Sequence, residues 1–218
     1  MNRWNIFLSS CLALMTSVGT VSAIQDKPKS EPSTAAQEVD SKKDDTKPAA
    51  KVNPPEPTTF VVADGQLKLS APGDWKKIEP ASTMIDAEFS IDPVEGDAKT
   101  CRLTVMGAGG TIEANIERWL GQVQQPDGSS SKDKATITKK EIDGVTVHVV
   151  DVAGTIIDQR GGPQAPKVEL KNHRLLAAIL ETDTSGNYFV KLYGPEKTIA
   201  KHKDAFVKMV EEAKLTDK

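Results

Sequence analysis

Cysteine is almost missing from this sequence, which has two, Cys11 and Cys101, among 218 residues. We expect Cys11 to be removed with an N-terminal signal, and the one cysteine that remains cannot form an internal disulfide. The domain must then be stable through its apolar core. In TCRLTVM, Cys101 alternates with Arg102 and shares a face with Leu103 and Val105. This pattern favours a small buried side chain over a catalytic thiol.

Concentrated positive charge is also missing. The 28 Lys and Arg residues are outnumbered by 31 Asp and Glu residues, giving a net charge of −3 without a basic cluster. Since phosphate neutralisation needs a concentrated basic face, we expect no nucleic-acid partner. The three histidines, His148, His173 and His202, lack the spacing of zinc ligands. We therefore expect no metal and no cofactor.

A glycine-rich turn, Gly107-Ala108-Gly109-Gly110, leads into an amphipathic segment that begins at Thr111. A dinucleotide fingerprint would have a third glycine where Ile112 stands, and the phosphate-loop lysine is absent. We interpret the turn as a strand-to-helix corner in which a glycine adopts positive φ and Thr111 caps the helix.

Signatures of nucleophilic enzymes are equally scarce. There is no G-x-S-x-G, and the S-x-x-K match at residues 129–132 lies in a polar loop without its S-D-N and K-T-G companions. We expect the chain not to be an enzyme.

The N-terminus, in contrast, carries a recognisable sequence pattern. Residues 1–23 combine Arg3, an apolar run and the small residues Val21-Ser22-Ala23, which predicts a secretory signal peptide cleaved after Ala23. Two alternatives remain open: a retained anchor, and a lipoprotein anchored through Cys11 in Leu8-Ser9-Ser10-Cys11. The mature chain is predicted to lack a transmembrane span and to be periplasmic or secreted.

Residues 24–57 are rich in Pro, Ala, Ser, Lys, Asp and Glu and contain no aromatic residue. Such a segment cannot bury enough apolar surface to offset its ordering entropy. We expect a disordered linker, followed by one domain over residues 58–218.

Within that domain, short apolar runs alternate with turn signals such as Asp64-Gly65 and Asp143-Gly144. The runs predict an α+β fold with an antiparallel sheet of about 6–8 strands. The predicted strands cover residues 60–62, 67–69, 86–91, 100–106, 134–142, 145–157, 174–182 and 187–193.

Two helices are predicted to cover the sheet. The apolar stripe of the internal helix consists of Ile112, Ile116, Trp119, Leu120 and Val123. The C-terminal helix starts at Gly194-Pro195, with proline in its first turn. Its stripe consists of Ile199, Phe206, Met209, Val210 and Ala213.

One long connection, residues 157–173, separates two predicted neighbouring strands. Loops of this length are either functional or mobile. Arg160, Lys167 and His173 make it basic in an acidic protein, so these residues are candidates for an interaction loop.

The segment LKLSAPGDWKKIEP resembles the opening of PsbP-like and DcrB-like domains, with Thr111-Ile112-Glu113 and Phe206 at corresponding later positions. The resemblance extends over about residues 60–215. It implies an α/β/α sandwich in an exported bacterial accessory protein, and it transfers no catalytic residue.

We therefore expect a non-catalytic, monomeric binding or accessory domain of the bacterial cell envelope, whose partner is a protein or a small ligand. Two alternatives remain: a carrier of a small apolar ligand, and a hydrolase whose site is assembled from distant residues.

Overall fold

The structure, a computed structural model, describes residues 55–159, 164–182 and 186–216. Its strands are β1 (Thr58–Val62), β2 (Leu67–Ala71), β3 (Lys76–Ile78), β4 (Ala87–Ile91), β5 (Cys101–Ala108), β6 (Val123–Gln124), β7 (Thr136–Ile142), β8 (Val145–Asp158), β9 (Val168–Thr182), β10 (Gly186–Pro195) and β11 (Lys214–Leu215). Its helices are α1 (Ile112–Leu120), α2 (Ser131–Lys134) and α3 (Glu196–Glu211). No helix in these ranges has the length and apolar character needed to cross a membrane.

The main sheet has eight strands, in the order β3-β4-β5-β10-β9-β8, with β6 and β7 both lying along the outer edge of β8. All of its strand pairs are antiparallel, which confirms the predicted fold class. The β1–β2 hairpin is not part of this sheet. It forms a separate three-stranded sheet with β11, since Lys214 and Leu215 pair with β2.

Both faces of the main sheet are apolar at its centre, as β9 shows. Leu176, Ala178 and Leu180 belong to one buried cluster, and the alternate residues Leu175, Ala177 and Ile179 belong to another. The first cluster includes buried residues of α3 and of the β1–β2 hairpin, and the second includes those of α1. The fold is therefore a sandwich with helices on both faces, as the sequence resemblance implied.

The stripe predicted for the C-terminal helix is buried in full, but Ala213 lies beyond the end of the helix at Glu211, so its helical assignment was wrong. The helix begins one residue later than predicted, because Pro195 is still paired in β10 and serves as the N-cap residue. His202 is buried as well, which the charged character of this segment did not suggest.

A buried carboxylate ties α3 to the sheet. Asp151 of β8 accepts hydrogen bonds of 2.6 and 2.7 Å from the guanidinium of Arg174 and lies 2.8 Å from the ammonium of Lys203 in α3. Burial alone would raise the pKa of Asp151, but Arg174 and Lys203 outweigh burial and lower it. This carboxylate therefore stays ionised and serves the fold.

Helix α1 is shorter than its predicted stripe. It ends at Leu120, and Val123 lies in β6, so the stripe prediction was wrong for Val123. Trp119 is buried and meets the ring of Phe189 edge to face, with centroids 5.1 Å apart. With only nine residues, α1 leaves part of its side of the sheet uncovered.

Candidate functional site: a basic groove beside helix α1

The uncovered part of the α1 face forms a groove of about 510 Å³. The buried residues of the α1 cluster on the sheet come from β6, β8, β9 and β10, whereas β5 presents the polar Arg102 and Thr104 to the groove beside Met106. We define the basic groove by its charged and apolar lining residues. The charged ones are Arg102, Arg118, Asp158, Lys167 and Lys191. The larger apolar and aromatic ones are Met84, Ile85, Met106, Trp119, Ile156, Ile157, Phe189 and Tyr193.

Lys191 lies on the floor of the groove because of strand alternation. In β10, Phe189, Lys191 and Tyr193 point to the α1 side, whereas Val190 and Leu192 belong to the α3 cluster. The Lys191 ammonium donates a hydrogen bond of 2.7 Å to the side-chain oxygen of Gln122 and lies 5.7 Å from the centroid of the Tyr193 ring. Both partners are electrically neutral.

The environment of Lys191 disfavours its charge. Its pKa is lowered to about 8, mainly by burial; the charges of Arg118 and Arg102 also lower the pKa, and Asp158 opposes them. Within the described residues, no carboxylate lies within salt-bridge distance of this ammonium. A desolvated cation of this kind is typical of functional clefts.

Arg118 reaches the groove from α1 and is also held by an amide. Its guanidinium donates a hydrogen bond of 2.9 Å to the side-chain oxygen of Asn115. The nitrogen of the same amide donates to the carbonyls of Gly109 and Thr111, at 3.1 and 2.8 Å. The glycine corner therefore determines where Arg118 lies.

That corner has the conformation predicted from the sequence. Gly110 has φ +91°, and the Thr111 hydroxyl accepts a hydrogen bond from the backbone N–H of Ala114 at 3.2 Å. The carbonyl of Gly109 accepts a hydrogen bond from the Asn115 side chain. These contacts are internal to the turn, which supports the interpretation as a strand-to-helix corner.

Among the described residues, Arg102 of β5 is the one groove cation with a buried carboxylate partner. Its Nε donates a hydrogen bond of 2.6 Å to Glu88, whose other oxygen accepts 2.8 Å from the backbone N–H of Ala81. The bond to Glu88 raises the pKa of Arg102, burial opposes this, and Tyr193 raises the pKa further. Arg102 is thus a permanent charge in a fixed position.

The predicted interaction loop needs a correction. Strands β8 and β9 extend further than expected, so the connection covers residues 159–167 and not 157–173. His173 lies in β9, 8% exposed, and its Nδ1 donates a hydrogen bond of 2.8 Å to the carbonyl of Lys171. The longer strands arise because a bulge between Gly154 and Ile156 lets pairing continue to Asp158.

The three candidate loop residues have different outcomes. Lys167 lines the basic groove. His173 lines a neighbouring cavity of about 620 Å³ that shares Arg102 and Tyr193 with the groove. Arg160 lies outside the described residues.

The other nucleophile candidates have structural partners. Cys101 is buried as predicted. The pKa of its thiol is raised to about 12, mainly by burial; the charge of Asp97 also raises the pKa, and a hydrogen bond with Thr198 opposes the rise. Ser129 donates to Asp127 at 2.6 Å. Ser131 was expected in an exposed loop, but it begins α2 and is buried, with its hydroxyl donating 2.6 Å to the carbonyl of Val123.

Within the described ranges, no three His, Cys, Asp or Glu side chains are placed to hold a metal ion together.

The chain is similar to several proteins of known structure. The chain resembles the cyanobacterial PsbP, CyanoP, of Synechocystis, with 11% identity over 78% of this chain and 99% of that one and a TM-score of 0.46. For LpqN of Mycobacterium tuberculosis, described as involved in cell envelope biogenesis, the identity is 9% over 74% of this chain and 91% of that one, with a TM-score of 0.45. A Bacteroides thetaiotaomicron protein gives 12% identity over 73% of this chain and 48% of that one, with a TM-score of 0.35.

No family model and no curated protein sequence matches this chain. The sequence resemblance is to PsbP-like domains, and a solved PsbP is among the structures to which this chain is similar.

Proposed function

We propose that this chain is an exported, non-catalytic binding protein of the bacterial cell envelope, and that the basic groove is its binding site. The observation that carries the proposal is the short α1, which leaves a concave surface between the helix and the sheet. Ligand sites in proteins are concave, largely apolar and provided with a few oriented polar groups. Trp119 and Phe189 supply the apolar wall, and Lys191 with Arg118 supplies the polar groups.

The groove is suited to binding because its polar groups are held in place before a ligand arrives. Gln122 fixes Lys191, Asn115 fixes Arg118, and Glu88 fixes Arg102. Preorganised groups of this kind reduce the entropy lost on association. The carrier of a small ligand, the alternative from the sequence, would use the same groove.

A fragment screen by NMR tests the binding site. A ¹⁵N-labelled chain is titrated with an unselected library of small cationic, neutral and anionic fragments. We expect the shift changes to concentrate on the Trp119 indole and the amides of Gly121, Gln122 and Lys191. Binding that concentrates on the α1–α2 surface around Ser129–Lys132, or no fragment binding at all, would contradict the proposal.

Export is tested separately by expressing the full chain in a bacterium and measuring the mass of the product. Cleavage after Ala23 is the expected result, with residues 24–57 as a linker and 58–218 as the domain. A product that starts at Cys11 and carries acyl groups would assign the lipid-anchored alternative. An uncleaved chain in the cytosol would contradict export.

A further inference from the structure

We propose that the basic groove binds a small organic anion, a carboxylate, phosphate or sulfate group carried on a short apolar or aromatic body. This inference rests on the proposed function, because it names the ligand class of the same site. It derives from the arrangement of charges on the floor and wall of the groove.

The first step is how Lys191 and Arg118 are held. Each forms its described side-chain hydrogen bond with a neutral amide oxygen, Lys191 with Gln122 and Arg118 with Asn115. An amide oxygen orients a cation without neutralising it. Within the described part of the chain, neither cation has a carboxylate within salt-bridge distance.

The second step is the cost of that arrangement. Buried charges are normally paired, because removing them from water is unfavourable. Here Lys191 is half-buried and lies beside the positive charges of Arg118 and Arg102, which the more distant Asp158 only partly opposes. A bound anion would supply a counter-charge at hydrogen-bond distance, and charge-assisted hydrogen bonds are among the stronger protein contacts.

The third step is the remainder of the lining, which determines the body of the ligand. The side chains of Trp119, Phe189, Tyr193 and Met106 border the cations. Their rings and the thioether favour a flat or short apolar group. The volume of about 510 Å³ suits a small molecule.

Calorimetry with matched probes tests this class. The probes are phenylacetate and phenyl phosphate as anions, benzyl alcohol as the neutral analogue and benzyltrimethylammonium as the cation. We expect the anions to bind at least about tenfold more tightly than benzyl alcohol, as for a charge-assisted hydrogen bond, and the cation not to bind. Equal affinities for phenylacetate and benzyl alcohol would overturn the assignment of an anion.

Variants of the full chain locate the effect. Lys191→Met keeps the length of the side chain and removes its charge, and we expect it to weaken phenylacetate binding about tenfold. Lys191→Arg should retain most of the affinity. Lys208→Met is the matched control, because Lys208 is 71% exposed on α3. If Lys191→Met and Lys208→Met change the affinity equally, the groove is not the anion site.

Vesicles with and without anionic lipid separate a free anion from a membrane surface. Binding to anionic vesicles without binding of phenylacetate would overturn the inference in favour of a lipid surface. If fragments occupy the groove without preference for anions, the proposed function stands and the inference fails. If nothing occupies the groove, both fail.

Discussion

The indole Nε1 of Trp75 donates a hydrogen bond of 3.1 Å to Nδ1 of His202, and the two rings meet edge to face with centroids 5.9 Å apart. Trp75 is fully buried between β2 and β3, so this bond ties that connection to α3. The bond requires an unprotonated Nδ1. Burial lowers the pKa of His202 below its usual 6.5; Asp74 opposes this and Lys201 adds to it.

The first prediction is a pH dependence of stability. Because the pKa of His202 is lower in the folded chain, the unfolded chain binds more protons below pH 6.5. The contribution to the free energy of unfolding is complete above that pH and is lost as the pH falls towards the folded pKa. His202→Gln, which can still accept from Trp75, should flatten this part of the profile. Urea unfolding midpoints measured through this range check it, and an unchanged slope in the variant would contradict it.

The glycine corner supplies a second prediction. Gly110→Ala should cost about 1 kcal/mol or more, because Gly110 has φ +91°. Its added Cβ would also lie 3.2 Å from the Asn115 amide nitrogen, which helps to place Arg118. Gly109→Ala is the matched control, since its Cβ would have nothing within 4 Å. The midpoints of urea unfolding measure both costs, and equal costs for the two glycine variants would exclude the strain argument.

Thr111→Ala should lower the free energy of unfolding by about 1 kcal/mol, because α1 loses its N-cap hydrogen bond. The midpoint of urea unfolding measures this cost too, and an unchanged midpoint would contradict the role of the cap.

Trp119→Ala should destabilise the domain by about 3–5 kcal/mol, as for other large aromatic truncations in a core. Trp119 is 2% exposed and packs on Phe189. Trp119→Phe should cost less, because it retains a ring against Phe189. Denaturant unfolding measures both. An alanine variant that unfolds at the wild-type midpoint would place Trp119 outside the core.

Another prediction concerns the end of the predicted linker. A Cβ on Gly73 would lie 2.2 Å from the carbonyl oxygen of Glu56 and 2.3 Å from that of Pro55, so these residues pack on the domain. We expect deletion of residues 24–54 to change the free energy of unfolding by less than about 1 kcal/mol. Gly73→Ala should destabilise the full chain and have a smaller effect once residues 24–57 are deleted. Equal effects in both chains would show that Pro55 and Glu56 do not pack there in solution.

Much of the fold could be predicted from local patterns. The turns at Asp64-Gly65 and Asp143-Gly144 were expected from sequence, and all four residues have positive φ. The short strands β3, β6 and β11 and the one-turn helix α2 were missed. A segment of two to four residues is too short to show a hydrophobic periodicity. The pairing of such short strands is determined by distant partners, as β2 is for β11.

The groove could not be predicted from the sequence, because its cations come from separate parts of the chain: β5, α1, the β8–β9 connection and β10. Strand register brings two of them together, since Arg102 pairs with Tyr193 and Lys191 pairs with Thr104. One signal was nevertheless present. In β5 and β10, Arg102 and Lys191 alternate with buried apolar residues and face the predicted internal helix. A charge facing a covered side of a sheet indicates either a buried pair or an opening, and here it indicates both.

The account depends most on the lowered pKa of Lys191, and NMR titration of its side chain measures that pKa directly. The groups facing it are Arg102 on β5, Arg118 on α1, Tyr193 on β10, Asp158 on β8 and Lys167 at the end of the β8–β9 connection. Its resonance is assigned by comparison with Lys191→Arg.

We expect a pKa of about 8 in the free chain, rising towards the usual lysine range when phenylacetate is bound. By linkage, phenylacetate affinity should then fall as the pH rises through this pKa. A pKa in the ordinary lysine range without phenylacetate, or one that saturating phenylacetate leaves unchanged, would contradict the account.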